Sequence, residues 1–186
     1  MKLFQKLKET EDPVKRRALF VALLSGECEK TCGEMPIVVG GEALEIYTQG
    51  GYTTGDIDLK GPKDCMEGIL KEWGFSKKGR LWFNPDLDIY IDWLGAELDE
   101  GPEAAKRTNT VVLDKDLTIR IISVEDLIID RLNAAKWWKD TDSLMWAEVL
   151  VRVKEATGQE IDVEYLRKRA TQEGLEELLQ KVLKDR

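Results

Sequence analysis

The stretch LDIYIDWL, residues 87–94, alternates strictly: Leu87, Ile89 and Ile91 fall on one side, Asp88, Tyr90 and Asp92 on the other. A period of two is the side-chain period of a β-strand, whose successive residues point to opposite faces of a sheet. The segment therefore predicts a strand with one buried and one polar face. A second segment, GGYTTGDIDLKG over 50–61, sets Ile57 and Leu59 against Asp56 and Asp58 in the same way. Asp is depleted from strands because its short charged side chain fits a half-buried pleated surface poorly. Two of them on one face of one strand need a reason.

The rest of the chain predicts further strands and the helices that cover them. Helices are expected over 2–10 and 13–32, broken near Pro13, with Leu19, Phe20, Leu23 and Leu24 as an apolar stripe. Residues 36–39 form a short β-branched run that suits a buried strand, ended by Gly40-Gly41. EALEIYTQ has helical character until Gly50-Gly51 stops it. Residues 63–73 resemble a helix with Met66, Ile69, Leu70 and Trp73 on one side. Phe75 and 80–83 suggest a strand or hairpin arm, and 109–113 and 117–122 two more strands joined around Asp114-Lys115. From Ser123 onward the pattern is helical: Ser123 and Asp126 give an S-x-x-D start signal, and a second helix over 142–156 stops at Gly158. Asp162 is placed to cap a third helix, and Gly174 divides it from a last one ending at Leu183. The expected fold class is α/β (α+β). An N-terminal helical lead (1–35), a strand-rich core (36–122) and a C-terminal helical region (123–186) are expected to pack as one unit.

What the chain lacks bounds its chemistry. Among 186 residues there is no histidine, which excludes Ser-His-Asp and Cys-His catalysis and imidazole-bound zinc. Cys28, Cys32 and Cys65 form no C-x-x-C pair and are read as buried thiols, the first two on one helical face. Carboxylates, lysine, hydroxyls and hard metal ions remain. The net charge of −8 argues against non-specific DNA binding, which rests on phosphate neutralisation by Lys and Arg. A local basic patch could still hold a nucleotide or an RNA end. No apolar run reaches the roughly 18 residues of a membrane span, and the N-terminus lacks the apolar stretch of a signal peptide. A cytoplasmic location without a membrane partner is expected.

Asp56 and Asp58 project together, with roughly 6–7 Å between their Cα atoms. Unpaired, they would repel and one would tend to take up a proton. A divalent cation removes the repulsion, and Mg²⁺ (or Mn²⁺) commonly takes one or two carboxylates plus substrate phosphates. A third carboxylate from a neighbouring strand would let the cluster hold two ions, and LDIYIDWL offers Asp92 or Asp88 on one face. Spacing alone does not decide between them. The plainer alternative is that both polar faces merely meet solvent. Upstream, Gly40-Gly41 opens a helix, where free backbone N–H groups and the helix dipole make an anion site. Glycine there admits a phosphate chain that a larger residue would block.

Val38-Val39-Gly40-Gly41, Thr54-Gly55-Asp56-Ile57-Asp58 and Ile91-Asp92-Trp93-Leu94 together resemble the nucleotidyltransferases of the DNA polymerase β superfamily in their minimal form. Those carry an apolar strand, GG or GS, a helix, a strand with D-x-D, and a third Asp on a later strand. The stretch 122–147, ISVEDLIIDRLNAAKWWKDTDSLMWA, is similar to the helical segment of nucleotidyltransferase-like proteins of the DUF6036 and AbiEii type. The resemblance implies a nucleotidyltransferase-like mixed sheet flanked by helices, with a C-terminal helical cap. It also implies Mg²⁺-dependent transfer of an NMP from an NTP to a hydroxyl of a small molecule, an RNA end or a protein. Asp56 and Asp58 would hold one ion, and those two with Asp92 the second, Asp92 being preferred over Asp88 for its I-D-L-L-like context. Asp92 could also serve as base for the acceptor hydroxyl. Gly40, Gly41 and Thr54 would bind the nucleotide, and Arg131, Lys136 and Lys139 would neutralise phosphates, the two lysines from one helical face. The same stretch reads equally as a solvated face with Trp137 and Trp138 packed inward or against a partner, and Tyr52, Trp93 and Trp138 are candidates to stack on a base or to belong to the core.

The chain departs from that pattern at three places. Tyr52 stands where many relatives carry arginine, Gly41 replaces the serine of GS, and Glu42 would oppose an anion unless it points away. These support a second reading, a non-catalytic binding module with a protein partner, for instance one component of a toxin–antitoxin pair. A metal-dependent phosphohydrolase using the same carboxylates is a third.

Overall fold

Two parallel strands, β2 (Ile57–Lys60) and β5 (Ile89–Trp93), lie side by side in register, with Asp58 opposite Asp92. They are the centre of a mixed seven-stranded sheet in a computed structural model that describes residues 2–184, with side chains from Phe4 onward. The other strands are β1 (Ile37–Val38), β3 (Ser76–Lys78), β4 (Leu81–Asn84), β6 (Asn109–Asp114) and β7 (Leu117–Ile121). The sheet order is β3-β4-β5-β2-β1-β7-β6. Strand β1 runs antiparallel to β2 and parallel to β7. The chain divides into two compact units, Met1–Ile122 and Ser123–Arg186, and the sheet belongs to the first.

Among the described residues of the first unit, five helices accompany the sheet: α1 (Lys2–Glu9), α2 (Pro13–Cys32), α3 (Gly40–Tyr47), α4 (Lys63–Glu72) and α5 (Pro102–Arg107). Helix α2 begins where Asp12 accepts hydrogen bonds from the Val14 and Lys15 N–H groups, with Pro13 in the first turn. It packs on β7 and α4. Phe20 and Leu24 of α2, Met66 and Leu70 of α4, and the strand residues Ile57, Leu59, Ile89, Ile91, Ile119 and Ile121 are all buried. Each such side chain contributes roughly 1.5–3 kcal/mol when removed from water. This apolar face is the one expected from the alternation in β2 and β5, and the aspartates occupy the other.

The sequence reading assigned nothing to 95–108, yet α5 forms there. It is six residues long, carries Pro102 in its first turn, and buries Ala104 alone among its side chains, so it has no apolar stripe to detect. The thiol reading needs correction at one position. Cys28 is buried and Cys65 half-buried, but Cys32, in the last turn of α2, is exposed.

The second unit consists of α6 (Val124–Trp137), α7 (Thr141–Ala156), α8 (Val163–Glu173) and α9 (Glu176–Val182). The S-x-x-D signal is realised at α6: the Ser123 hydroxyl accepts from the Asp126 N–H at 3.0 Å and donates to Asp126 Oδ2 at 2.6 Å. The Tyr165 hydroxyl and Arg169 then meet the other carboxylate oxygen, at 2.6 and 3.4 Å. Trp137 and Trp138 are 64% and 81% exposed, so they are not packed inward. Among the described residues no helix is long and apolar enough to cross a membrane.

Candidate metal centre

The parallel pairing of β2 with β5 brings the three aspartates together. Asp58 and Asp92 are direct cross-strand partners, and Asp56 precedes Asp58 by two, so all three emerge on one face. One carboxylate oxygen from each lies within 4.8 Å of the other two, and all three residues are half-buried. Arg80, in the β3–β4 turn, brings its Nε to 2.7 Å from Asp92 Oδ1. The approach is out of line for a hydrogen bond, and Oδ1, although buried, makes none. Asp88, the alternative third carboxylate, lies before β5 in a turn with φ +52° and sits 4.0 Å from Arg16. It does not join the cluster.

The paired glycines stand directly against this face. Gly40 has φ +55°, in the left-handed region that favours glycine, and a Cβ there would overlap Asp58 Oδ2 and lie 3.0 Å from its Cγ. The Gly41 N–H donates to Asp58 Oδ2 at 2.9 Å. Val39, the residue before α3, offers no side-chain cap, so the aspartate supplies the anion at that helix start. One of the backbone donors expected to cradle phosphate is thus committed to a carboxylate. A Cβ at Gly41 would come to 3.1 Å from Thr54 Oγ1 and 3.5 Å from Tyr52 Cε1. The serine of the GS pattern would crowd a hydroxyl already there, and that hydroxyl donates to Asp56 Oδ1 at 3.1 Å.

Glu42 points away from the corner. It is fully buried, and Arg17 of α2 donates from Nε to Glu42 Oε2 at 2.9 Å and from Nη2 to Glu45 Oε2. Burial pushes the Glu42 carboxyl up to about 7; Arg17 opposes the shift, and Glu45 and Asp58 add to it. Glu45 also accepts from the Thr54 N–H at 3.3 Å through Oε1. A chain of contacts therefore runs from Arg17 through Glu45 and Thr54 to Asp56. Sequence reasoning missed Arg17, Glu45 and Arg80. Arg17 had a signal, since it shares a helical face with Phe20 and Leu24, where a charge demands a buried partner. Arg80 had none.

The expected phosphate-binding cations Arg131, Lys136 and Lys139 belong to the second unit. Arg131 pairs with Asp130 at 2.6 Å. Lys136 donates to the Gly174 carbonyl and lies 4.5 Å from the centroid of Trp137. Lys139 falls beyond the end of α6 with φ +56°, so the two lysines do not share a helical face as expected. Of the aromatic candidates Tyr52 borders the glycine corner, while Trp93 alternates to the face opposite Asp92 and donates from Nε1 to the Gly61 carbonyl at 3.2 Å.

No protein-family model and no curated protein matches the chain. Solved structures do. The solution structure of the antibiotic-resistance factor ANT(2'')-Ia is 18% identical with a TM-score of 0.56, over 91% of this chain and 96% of that one. A crystal structure of ANT(2'')-Ia in complex with adenylyl-2''-tobramycin is also 18% identical, with a TM-score of 0.46 over 74% and 95%. The first likeness shows the fold: a nucleotidyltransferase-like mixed sheet flanked by helices.

Proposed function

We propose that this chain is a divalent-metal-dependent nucleotidyltransferase, a minimal member of the DNA polymerase β superfamily that moves an NMP from an NTP to a hydroxyl acceptor. The observation that carries the reading is the convergence of Asp56, Asp58 and Asp92 beside the Gly40-Gly41 corner. The donor set fits Mg²⁺ or Mn²⁺: three hard oxygen ligands close together, one of them a buried Asp92 oxygen without a hydrogen bond. Asp56 and Asp58 would hold one ion, and those two with Asp92 a second. Bound there, the metal would polarise the transferring phosphate and lower the pKa of the acceptor hydroxyl. Thr54 fixes Asp56 and Gly41 fixes Asp58, so the ligands are held before the ion arrives. Asp92 is also the proposed base for the acceptor hydroxyl.

Gly40, Gly41 and Thr54 are proposed to receive the nucleotide; in the second unit Arg131, Lys136 and Lys139 are proposed phosphate contacts of a helical segment of the DUF6036 and AbiEii type. The acceptor hydroxyl is proposed to belong to a small molecule, an RNA end or a protein. Calorimetry with each NTP and Mg²⁺ on the wild type and on the double variant Asp56→Ala/Asp58→Ala tests the proposal. Metal-dependent binding of at least one NTP, lost in the variant, is expected; equal binding by both proteins would overturn it.

The exposure of Trp137 and Trp138 favours a second reading, a non-catalytic module of the same fold that binds a protein, for instance within a toxin–antitoxin pair. Copurification of a second chain, lost in Trp137→Ala/Trp138→Ala, would support it.

A further inference from the structure

We infer that Arg80 is the resident counter-ion of Asp92 and the group a divalent cation displaces, so that ion loading and release of the Arg80 side chain are one exchange. The inference rests on the reading of Asp56, Asp58 and Asp92 as a metal centre. Three carboxylates this close repel one another, and a nearby cation offsets the repulsion. Arg80 supplies one, with Nε 2.7 Å from Asp92 Oδ1.

The contact has the features of a placeholder rather than a structural bond. Asp92's side chain is 13% exposed and Arg80's is 68% exposed, so the guanidinium reaches a recessed carboxylate from the solvent side. The pair lacks hydrogen-bond alignment, leaving the buried Oδ1 unsatisfied. An aligned arginine–carboxylate fork would be far harder to displace. An ion pair whose arginine stands mostly in solvent contributes little, while a divalent ion offers twice the charge and a geometry that engages all three carboxylates.

The backbone permits the exchange. Arg80 immediately precedes β4, where Leu81 pairs with Asp92, and its carbonyl accepts from the Trp93 N–H at 3.4 Å. The main chain is therefore tied down while the side chain extends into solvent. A rotamer change suffices to vacate Oδ1, with no strand displaced.

Mn²⁺ binding without nucleotide, measured by calorimetry, tests the exchange on the wild type, Arg80→Ala, Arg80→Gln, Arg80→Lys and Asp58→Asn. Removal of the competing cation should tighten Mn²⁺ binding in Arg80→Ala and Arg80→Gln by up to about fivefold, the equivalent of one exposed pair. Arg80→Lys should stay near the wild type, and Asp58→Asn should lose binding. Two failures are distinguishable. Loss in Asp58→Asn with unchanged or weaker binding in both neutral Arg80 variants overturns the exchange and leaves the metal centre standing. Undiminished binding by Asp58→Asn, or none by the wild type, overturns the metal centre and the exchange with it.

Discussion

The Gly41 N–H donates to Asp58 Oδ2 at 2.9 Å across 17 residues of sequence. The glycine corner and the D-x-D strand are therefore parts of one contact. The donor comes from the first turn of α3, the acceptor from β2, and Gly40 gives the carboxylate the room it needs.

Gly40→Ala is the sharpest test of that contact. The added methyl overlaps Asp58 Oδ2 at a backbone position that already disfavours a side chain, a strain of about 1–3 kcal/mol. Mn²⁺ affinity should fall while far-UV circular dichroism stays close to that of the wild type. Unaltered Mn²⁺ affinity would show that the carboxylate can be placed without the corner.

Asp92→Asn and Asp88→Asn should separate completely. Of the two, only Asp92 joins the cluster, so its loss should reduce the proposed nucleotidyl transfer by more than the roughly 10–100-fold typical of an outer-shell partner. Asp88, exposed and 4.0 Å from Arg16, should leave the rate within about twofold, since surface pairs contribute little. Comparable losses in initial-rate measurements would contradict the assignment.

Arg17→Met should destabilise the first unit severely. It leaves Glu42 and Glu45 buried without their cation, and breaking a buried pair costs about 3–5 kcal/mol. Adding Glu42→Gln to Arg17→Met should recover part of that loss in urea unfolding, because one uncompensated charge is gone. A double variant no more stable than the single one would rule out the charge explanation.

Glu42 also sets a pH dependence. Burial raises its carboxyl from an ordinary 4.5 to about 7, so between those values the folded protein binds more protons than the unfolded chain. Its contribution is fully present below about pH 4.5 and is lost as pH rises through about 7, with a slope of at most about 1.4 kcal/mol per pH unit. The stability of Glu42→Gln relative to the wild type should therefore grow from pH 5 to pH 8 in denaturant titrations. A constant difference across that range would count against it.

In the second unit, Asp126→Ala removes the partner of Ser123, Tyr165 and Arg169 together. Ser123 and Tyr165 lose a buried acceptor, while Arg169 keeps its pair with Glu173, so in urea unfolding the substitution should cost about 1–3 kcal/mol. Arg169→Met combined with Asp126→Ala should be less damaging than the sum of the two singles, as expected for groups in one network.

Most elements could be read from the sequence because local chemistry specifies them. Pro13 and Asp12 start α2, Ser123 starts α6, Gly174 ends α8, and alternation marks β2 and β5. Helix α5 escaped because six residues with a single buried side chain leave no periodicity to find. The same limit applies to Lys139, whose positive φ places it off the helix that spacing alone would have continued.

The sequence by itself determined which face of each strand would carry aspartate, since a period of two needs only neighbours in the chain. It excluded, through the missing histidine, any imidazole base or imidazole metal ligand within this sequence. Only the tertiary structure could decide between Asp92 and Asp88, because the answer lies in the register of β2 against β5 and in a turn that diverts Asp88 toward Arg16. It alone could turn Glu42 inward to Arg17 and bring Arg80 to Asp92. Those pairings join residues distant in sequence, and charges of opposite sign find one another through space, where no sequence period records the meeting.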